Sequence, residues 1–123
     1  MTTDNETTIQ SLKNLVKEFR DNREWAQFHD PKNVAEAISI EAAELQEHFL
    51  WKDKEQIANL LNNDEEFRTE VSEELADVVC YCLNFANSTG IDVTQAVMDK
   101  LEKNDAKYPV DKSKGLATKY NKL

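Results

Sequence analysis

Four acidic residues in this chain fall in two pairs whose spacing suits cation binding: Glu41 with Glu44, and Glu74 with Asp77. Residues three apart on a helix lie one turn from each other on the same face, so each pair presents two carboxylates together. Each pair also begins where an apolar residue belongs. Phe67, Val71, Val78, Tyr81 and Phe85 step by four and three along one stripe, and its middle slot is Glu74. Val34 and Ile38 lead in the same way to Glu41, after which Leu45 and Phe49 resume the stripe. Ionised carboxylates are costly to take out of water, and several brought together repel one another. A bound divalent cation removes both objections. Oxygen-only ligation suits magnesium, with manganese as the close substitute, because no cysteine or histidine completes a tetrahedral zinc set. In a chain with 24 acidic residues any single pair is more often a solvated helix face than a metal site; two pairs that both interrupt an apolar stripe are the distinguishing feature.

Other residue types nearby fit a phosphorylated, planar ligand. Trp25 and Trp51 offer flat surfaces for stacking on a base, and Tyr81 lies one turn beyond Asp77. The plain alternative for each is a core or interface aromatic. Lys100, Asn104, Lys107 and the lysines of the tail are candidates to hold phosphate oxygens, or else simple solvated charge near a helix C-terminus. Cleavage of a phosphoanhydride needs cations against the developing charge and a base to orient a water; one of the paired carboxylates, or Glu47 or Glu73, can serve as that base. His48 follows Glu44 by four, but a lone Glu/His pair has no third zinc ligand at readable spacing. A di-iron carboxylate bundle needs Glu-x-x-His on two helices, and neither histidine has a Glu three residues before it. The rival from another class is a non-catalytic helical interaction module, with the acids as its surface and the tryptophans as its interface.

These residues must be positioned by helices. With two glycines and two prolines in 123 residues, the chain lacks the turn residues of a β-rich fold. Ile9, Leu12, Leu15, Val16 and Phe19 predict an amphipathic helix over about 8–22, followed by a polar and aromatic connector to His29. Asp30-Pro31 predicts the start of a second helix running to about Leu50. Asp53 is read as the cap of a short helical turn through Leu61, and a long helix follows Asn62-Asn63-Asp64 to near Asn87, closed by Ser88-Thr89-Gly90. Asp92 and Gln95 resemble a capping box opening a helix to about Lys107, which Pro109 stops. The basic stretch 110–123 lacks helical periodicity and reads as a tail, as does 1–7. The expected fold is therefore all-α, with four main helices in one bundle-like domain over 1–123.

The formal charge of −9 argues against a nucleic acid polymer as partner, since such proteins carry surplus Lys and Arg. Cys80 and Cys82 are too few and too close for a disulfide framework and read as reduced core or near-core thiols. No stretch resembles a signal peptide or reaches the roughly 18 apolar residues of a membrane span, so the expectation is a cytoplasmic protein with no membrane partner. Ile91, Val93, Val97 and Leu101 give the last helix its own apolar stripe, which points to a homo-oligomer.

At the paired acids the sequence resembles the MazG-like all-α nucleoside triphosphate pyrophosphohydrolases, whose motif is Glu-x-x-Glu on one helix and Glu-x-x-Asp on the next long one. Here it reads Glu41-Ala-Ala-Glu44 and Glu74-Leu-Ala-Asp77. The likeness is to the small dCTP pyrophosphatase branch and covers nearly the whole chain. Trp25 to His29 is similar to that branch's Trp-x-x-Phe-His segment, and Phe49-Leu50-Trp51-Lys52 to its aromatic-Trp-Lys segment; Lys103-Asn104, Lys107-Tyr108-Pro109 and Lys119-Tyr120 also match in order and spacing. The resemblance implies magnesium-dependent cleavage of a deoxynucleoside triphosphate, dCTP above all, between the α and β phosphates in nucleotide-pool housecleaning. It puts the metal on Glu41, Glu44, Glu74 and Asp77, and the base among Trp25, Trp51 and Tyr81 with Phe28 and His29 beside them. It adds Tyr108 to the substrate-binding residues and implies a dimer or tetramer whose pockets a neighbouring subunit partly completes. One position departs: Val16 stands where the branch has a histidine, which bears on base preference and not on metal chemistry.

Overall fold

The computed structural model describes residues 2–123, and among them every regular element is helical. The main helices are α1 (Ile9–Asn22), α2 (Pro31–Glu47), α3 (Lys54–Asn63), α4 (Glu65–Thr89) and α5 (Val93–Lys107), with a one-turn α6 (Val110–Ser113) after them. Their starts follow from local chemistry. Thr8, Asp30, Asp53, Asp64 and Asp92 each accept a hydrogen bond from the backbone N–H three residues on, satisfying one of the amides that a helix start leaves free. Gly90, at φ 73°, takes the left-handed conformation that closes α4.

Four local expectations need correction. The segment after Asp53 is a full helix of 10 residues, stabilised by a reciprocal capping box in which Gln56 N–H donates to Asp53 Oδ1 and Asp53 N–H donates to Gln56 Oε1, both at 2.9 Å. At Asp92 only half of such a box forms, because the Gln95 amide donates instead to Asp99 Oδ1 at 2.8 Å. The second helix ends at Glu47, where the amides of Phe49 and Leu50 turn back to Gln46 and Glu47 and Trp51 adopts a left-handed backbone at φ 62°. In the stretch read as a loop, the Lys112 and Ser113 amides donate to the Pro109 carbonyl and form α6, and a 3-10 turn spans Tyr120–Lys122.

By its internal contacts the chain divides into two compact units, Met1–Gly90 and Ile91–Leu123. In the first, α4 packs chiefly against α2 and also against α1 and α3. Its buried residues are Val34 of α2 and Leu83, Asn84 and Ala86 of α4. The predicted stripes of α2 and α4 face inward as half-buried rows. The stripe of α1 does not: Leu15 and Phe19 are 60% and 52% exposed, so much of that apolar face is uncovered. Cys80 and Cys82, expected near the core, are free thiols on exposed parts of α4. In the second unit Tyr108 packs edge-on against Tyr120 at 6.0 Å, and Lys107 Nζ stands 4.8 Å over the Tyr120 ring.

Candidate functional site

Packing of α2 against α4 brings the acidic interruptions of their stripes together. Carboxylate oxygens of Glu41, Glu44 and Glu74 all lie within 4.8 Å of one another. Glu41 and Glu74 are half-buried, like the apolar residues above and below them, and Oε2 of each is buried without a hydrogen-bond partner. Burial, reinforced by the neighbouring Glu44 carboxyl and the charge of Asp77, pushes Glu41 up to about 7. Glu74 is raised too, first by burial and then by the charges of Glu44 and Asp77. Asp77 is not in the tight triad, yet its charge is felt by both partners and by Tyr81, whose hydroxyl is raised by burial and by the same carboxylates.

Such a cluster fits a hard divalent cation. The two orphaned oxygens have no donor within the protein, and a centre of positive charge satisfies them while offsetting the burial and the repulsion that raise Glu41 to about 7. The donor set is oxygen alone, which is the set preferred by magnesium and manganese.

Next to the acids lies a cavity of about 350 Å³, whose lining includes Val16 of α1, Trp25, His29, and Asp77, Tyr81 and Asn84 of α4. Two long-range hydrogen bonds fix its walls: Asn87 Nδ2 donates to the Lys13 carbonyl at 3.0 Å, and Ser88 Oγ to the His29 carbonyl at 2.8 Å. The rings form a chain, with Phe19 edge-on to Trp25 at 5.9 Å, then Trp25 to His29 and His29 to Tyr81 at 6.4 Å each. Arg23 caps it 3.6 Å over Phe19. A larger depression of about 890 Å³ follows the N-terminal segment and α1, but it is lined by neither an aromatic ring nor the paired acids.

The structure therefore joins Trp25, His29 and Tyr81 to the acidic cluster through Asp77. It does not bring Phe28 or Trp51 into that cavity within one chain: Phe28 is 59% exposed and Trp51 92%. Lys100, Asn104, Lys107 and Tyr108 belong to the second unit, where Asn104 and Tyr108 are half-buried and Lys100 and Lys107 exposed. His48, set aside as a zinc ligand, has Nδ1 3.9 Å from Glu70 and its ring edge-on to Phe67. Sequence reasoning passed over Asn84. The available signal was a carboxamide in the otherwise apolar run from Leu83 to Ala86, on the same face as Asp77 and Tyr81.

Fold and site together define a class: an all-helical protein with a cluster of carboxylates from two helices, beside an aromatic cavity. The chain belongs to the MazG-like family, whose model matches residues 36–123. It is 37% identical over 118 residues to dCTP pyrophosphatase 1 of Bos taurus, and 33% identical to that of Homo sapiens, in each case over 96% of this chain and 69% of the relative. Among solved structures, a pyrophosphatase from Archaeoglobus fulgidus matches with a TM-score of 0.76 and 38% identity, over 89% of this chain and 99% of that one.

Proposed function

We propose that this protein is a nucleoside triphosphate pyrophosphohydrolase, a hydrolase of phosphoric anhydrides, that converts dCTP and water to dCMP and pyrophosphate. The observation that carries this reading is the pair of orphaned carboxylate oxygens, Oε2 of Glu41 and of Glu74, in a cluster contributed by two helices beside an aromatic cavity. Kinship with dCTP pyrophosphatases supports the substrate class. Glu41, Glu44, Glu74 and Asp77 hold a magnesium ion, for which manganese can substitute. When bound, the cation neutralises charge on the phosphate oxygens as the anhydride breaks. One carboxylate of the cluster, or Glu47 or Glu73, takes the proton from the attacking water.

Trp25 and Tyr81 flank the base, with His29 beside them. Lys100, Asn104, Lys107, Tyr108 and the tail lysines are the groups proposed to bind phosphate oxygens. Phe28 and Trp51 act at the same site from a second copy in a homodimer or homotetramer. Their exposure supports this assignment, as do the uncovered apolar faces of α1 and α5, where Leu15, Phe19, Val97 and Leu101 are all at least half exposed. Among the described residues no helix is long and apolar enough to cross a membrane, and the reading places the enzyme in the cytoplasm.

Release of pyrophosphate from a panel of deoxynucleoside triphosphates with magnesium tests the activity, and reaction in ¹⁸O-labelled water tests the bond. Label should enter the monophosphate or the pyrophosphate. Orthophosphate and a nucleoside diphosphate as first products would mean cleavage at the γ phosphate and a different enzyme.

A further inference from the structure

Asn84 has no evident structural reason to be an asparagine. It sits on α4 between Leu83 and Ala86, both of them buried, and is itself only 7% exposed. Its Oδ1 is buried with no hydrogen-bond partner. An unmade hydrogen bond of this kind costs about 1–3 kcal/mol, which a leucine of similar size at the same place would avoid. A buried amide kept at such a cost points to a partner that arrives from outside.

The cavity shows where that partner arrives. Asn84 lines it together with Trp25 and Tyr81, whose rings offer flat apolar walls, while Val16 contributes no donor or acceptor. His29 lines the same cavity, and its Nδ1 is likewise buried without a partner. Two orphaned polar atoms in one aromatic pocket describe a planar ligand with hydrogen-bonding groups on its edge. An apolar wall discriminates weakly between flat rings, whereas a site built to bond a polar edge rejects ligands that leave its groups unpaired. Selectivity must therefore come from these two atoms.

We infer that Asn84 is the base-reading residue of this pocket, its Oδ1 accepting an N–H of the base's exocyclic amino group. This deepens the proposed activity and rests on it. The 4-amino group of cytosine supplies the donor, as does the 6-amino group of adenine, and both bases carry a ring nitrogen beside it that the carboxamide N–H can meet. Thymine and uracil put a carbonyl oxygen where the donor should be. An oxygen facing Oδ1 leaves both unpaired unless the carboxamide turns over and buries its N–H where Oδ1 now lies, so keto pyrimidines are disfavoured. Asn84 also stands seven residues beyond Asp77 on the same helix face, so reading the base there keeps the sugar and phosphates toward the acids.

Two measurements test this, one of them independent of hydrolysis. Quenching of tryptophan fluorescence by dCMP, dAMP, dTMP and dUMP reads base recognition with no anhydride present. In the wild type the amino bases should bind at least tenfold more tightly than the keto bases, and the dCMP and dAMP arms decide which amino base is preferred. In Asn84→Leu that ratio should fall to within about threefold, while the magnesium-induced rise in melting temperature stays as in wild type. Asn84→Asp keeps an acceptor at the position in either orientation and should retain the preference for amino bases even if the leucine variant does not fold. The same ratios should appear in kcat/KM for the triphosphates. A wild type that binds dCMP and dUMP equally overturns the inference, as does either variant with an unchanged or reversed preference for Leu or Asp respectively. If the wild type releases pyrophosphate from dCTP and Asn84→Leu keeps full discrimination, the activity stands and the role of Asn84 falls. If the monophosphates are discriminated through Asn84 but no triphosphate is hydrolysed, the reverse holds.

Discussion

The carboxylate cluster and the aromatic cavity adjoin along one face of α4, from Glu74 to Asn84, yet they ask opposite things of a ligand. Both contain buried polar atoms with no partner in the protein. In the cluster these are oxygens of like-charged groups, and any compact centre of positive charge satisfies them regardless of shape. In the cavity they are single atoms of a carboxamide and an imidazole set among rings, and only a flat ligand with groups in the right places satisfies them. The contrast separates two kinds of function on a single helix. One end is suited to drive a reaction common to all nucleoside triphosphates, and the other to choose among them.

Damage to the two ends should differ accordingly, and the largest effect belongs to the acids. Glu41→Gln, Glu44→Gln, Glu74→Gln and Asp77→Asn should each lower kcat/KM by about 100-fold or more for every nucleotide alike, since several kcal/mol of charge stabilisation are lost with the cation. Helix content measured by circular dichroism should be unchanged. Full activity in any two of these variants would place the cation elsewhere.

A smaller, differently shaped loss is expected at the aromatic end. Stacking contributes about 1–3 kcal/mol per base, so Trp25→Ala should weaken kcat/KM roughly tenfold, through KM and similarly for all bases. Trp51→Ala should do the same only in an assembly that brings it to another chain's site. Light scattering should accordingly give the mass of two or four chains, and a fully active monomer would remove the role assigned to Trp51.

The smallest effect is one of stability, and its sign follows from Glu41. Its carboxyl is raised from 4.5 to about 7, so the folded protein without metal holds a proton that the unfolded chain releases. That contribution is fully present below pH 4.5 and is lost as pH rises through about 7. Glu74, raised for the same reason, acts in the same direction. Isolating this component, Glu41→Gln in chelator should lose less melting temperature than wild type between pH 5 and 8. The stabilisation gained on adding magnesium should grow over that window, because the cation displaces the proton. A magnesium effect independent of pH would show that Glu41 is not a ligand.

Much of this protein was decided locally. Asp30, Asp53 and Asp92 announced helix starts and Gly90 an end, because capping depends on atoms within three or four residues of one another. The acids at positions 41 and 74 were legible for a similar reason: a charge in a stripe of 3.6-residue period is anomalous whatever the stripe packs against. Trp51 shows the limit of such reasoning, since its type suits a stacking platform while within one chain it is exposed and outside the cavity. Asn84 shows the converse. One amide in an apolar run is unremarkable until α1 and the segment around Trp25 and His29 close over it and leave its oxygen without a partner. Helix type, the capped helix starts and the acidic motif thus belonged to the sequence by itself, because they rest on short-range spacing. Which rings share a cavity, which carboxylates touch and which polar atom is left unsatisfied were decided only by tertiary packing, because each depends on surfaces tens of residues apart meeting in one place.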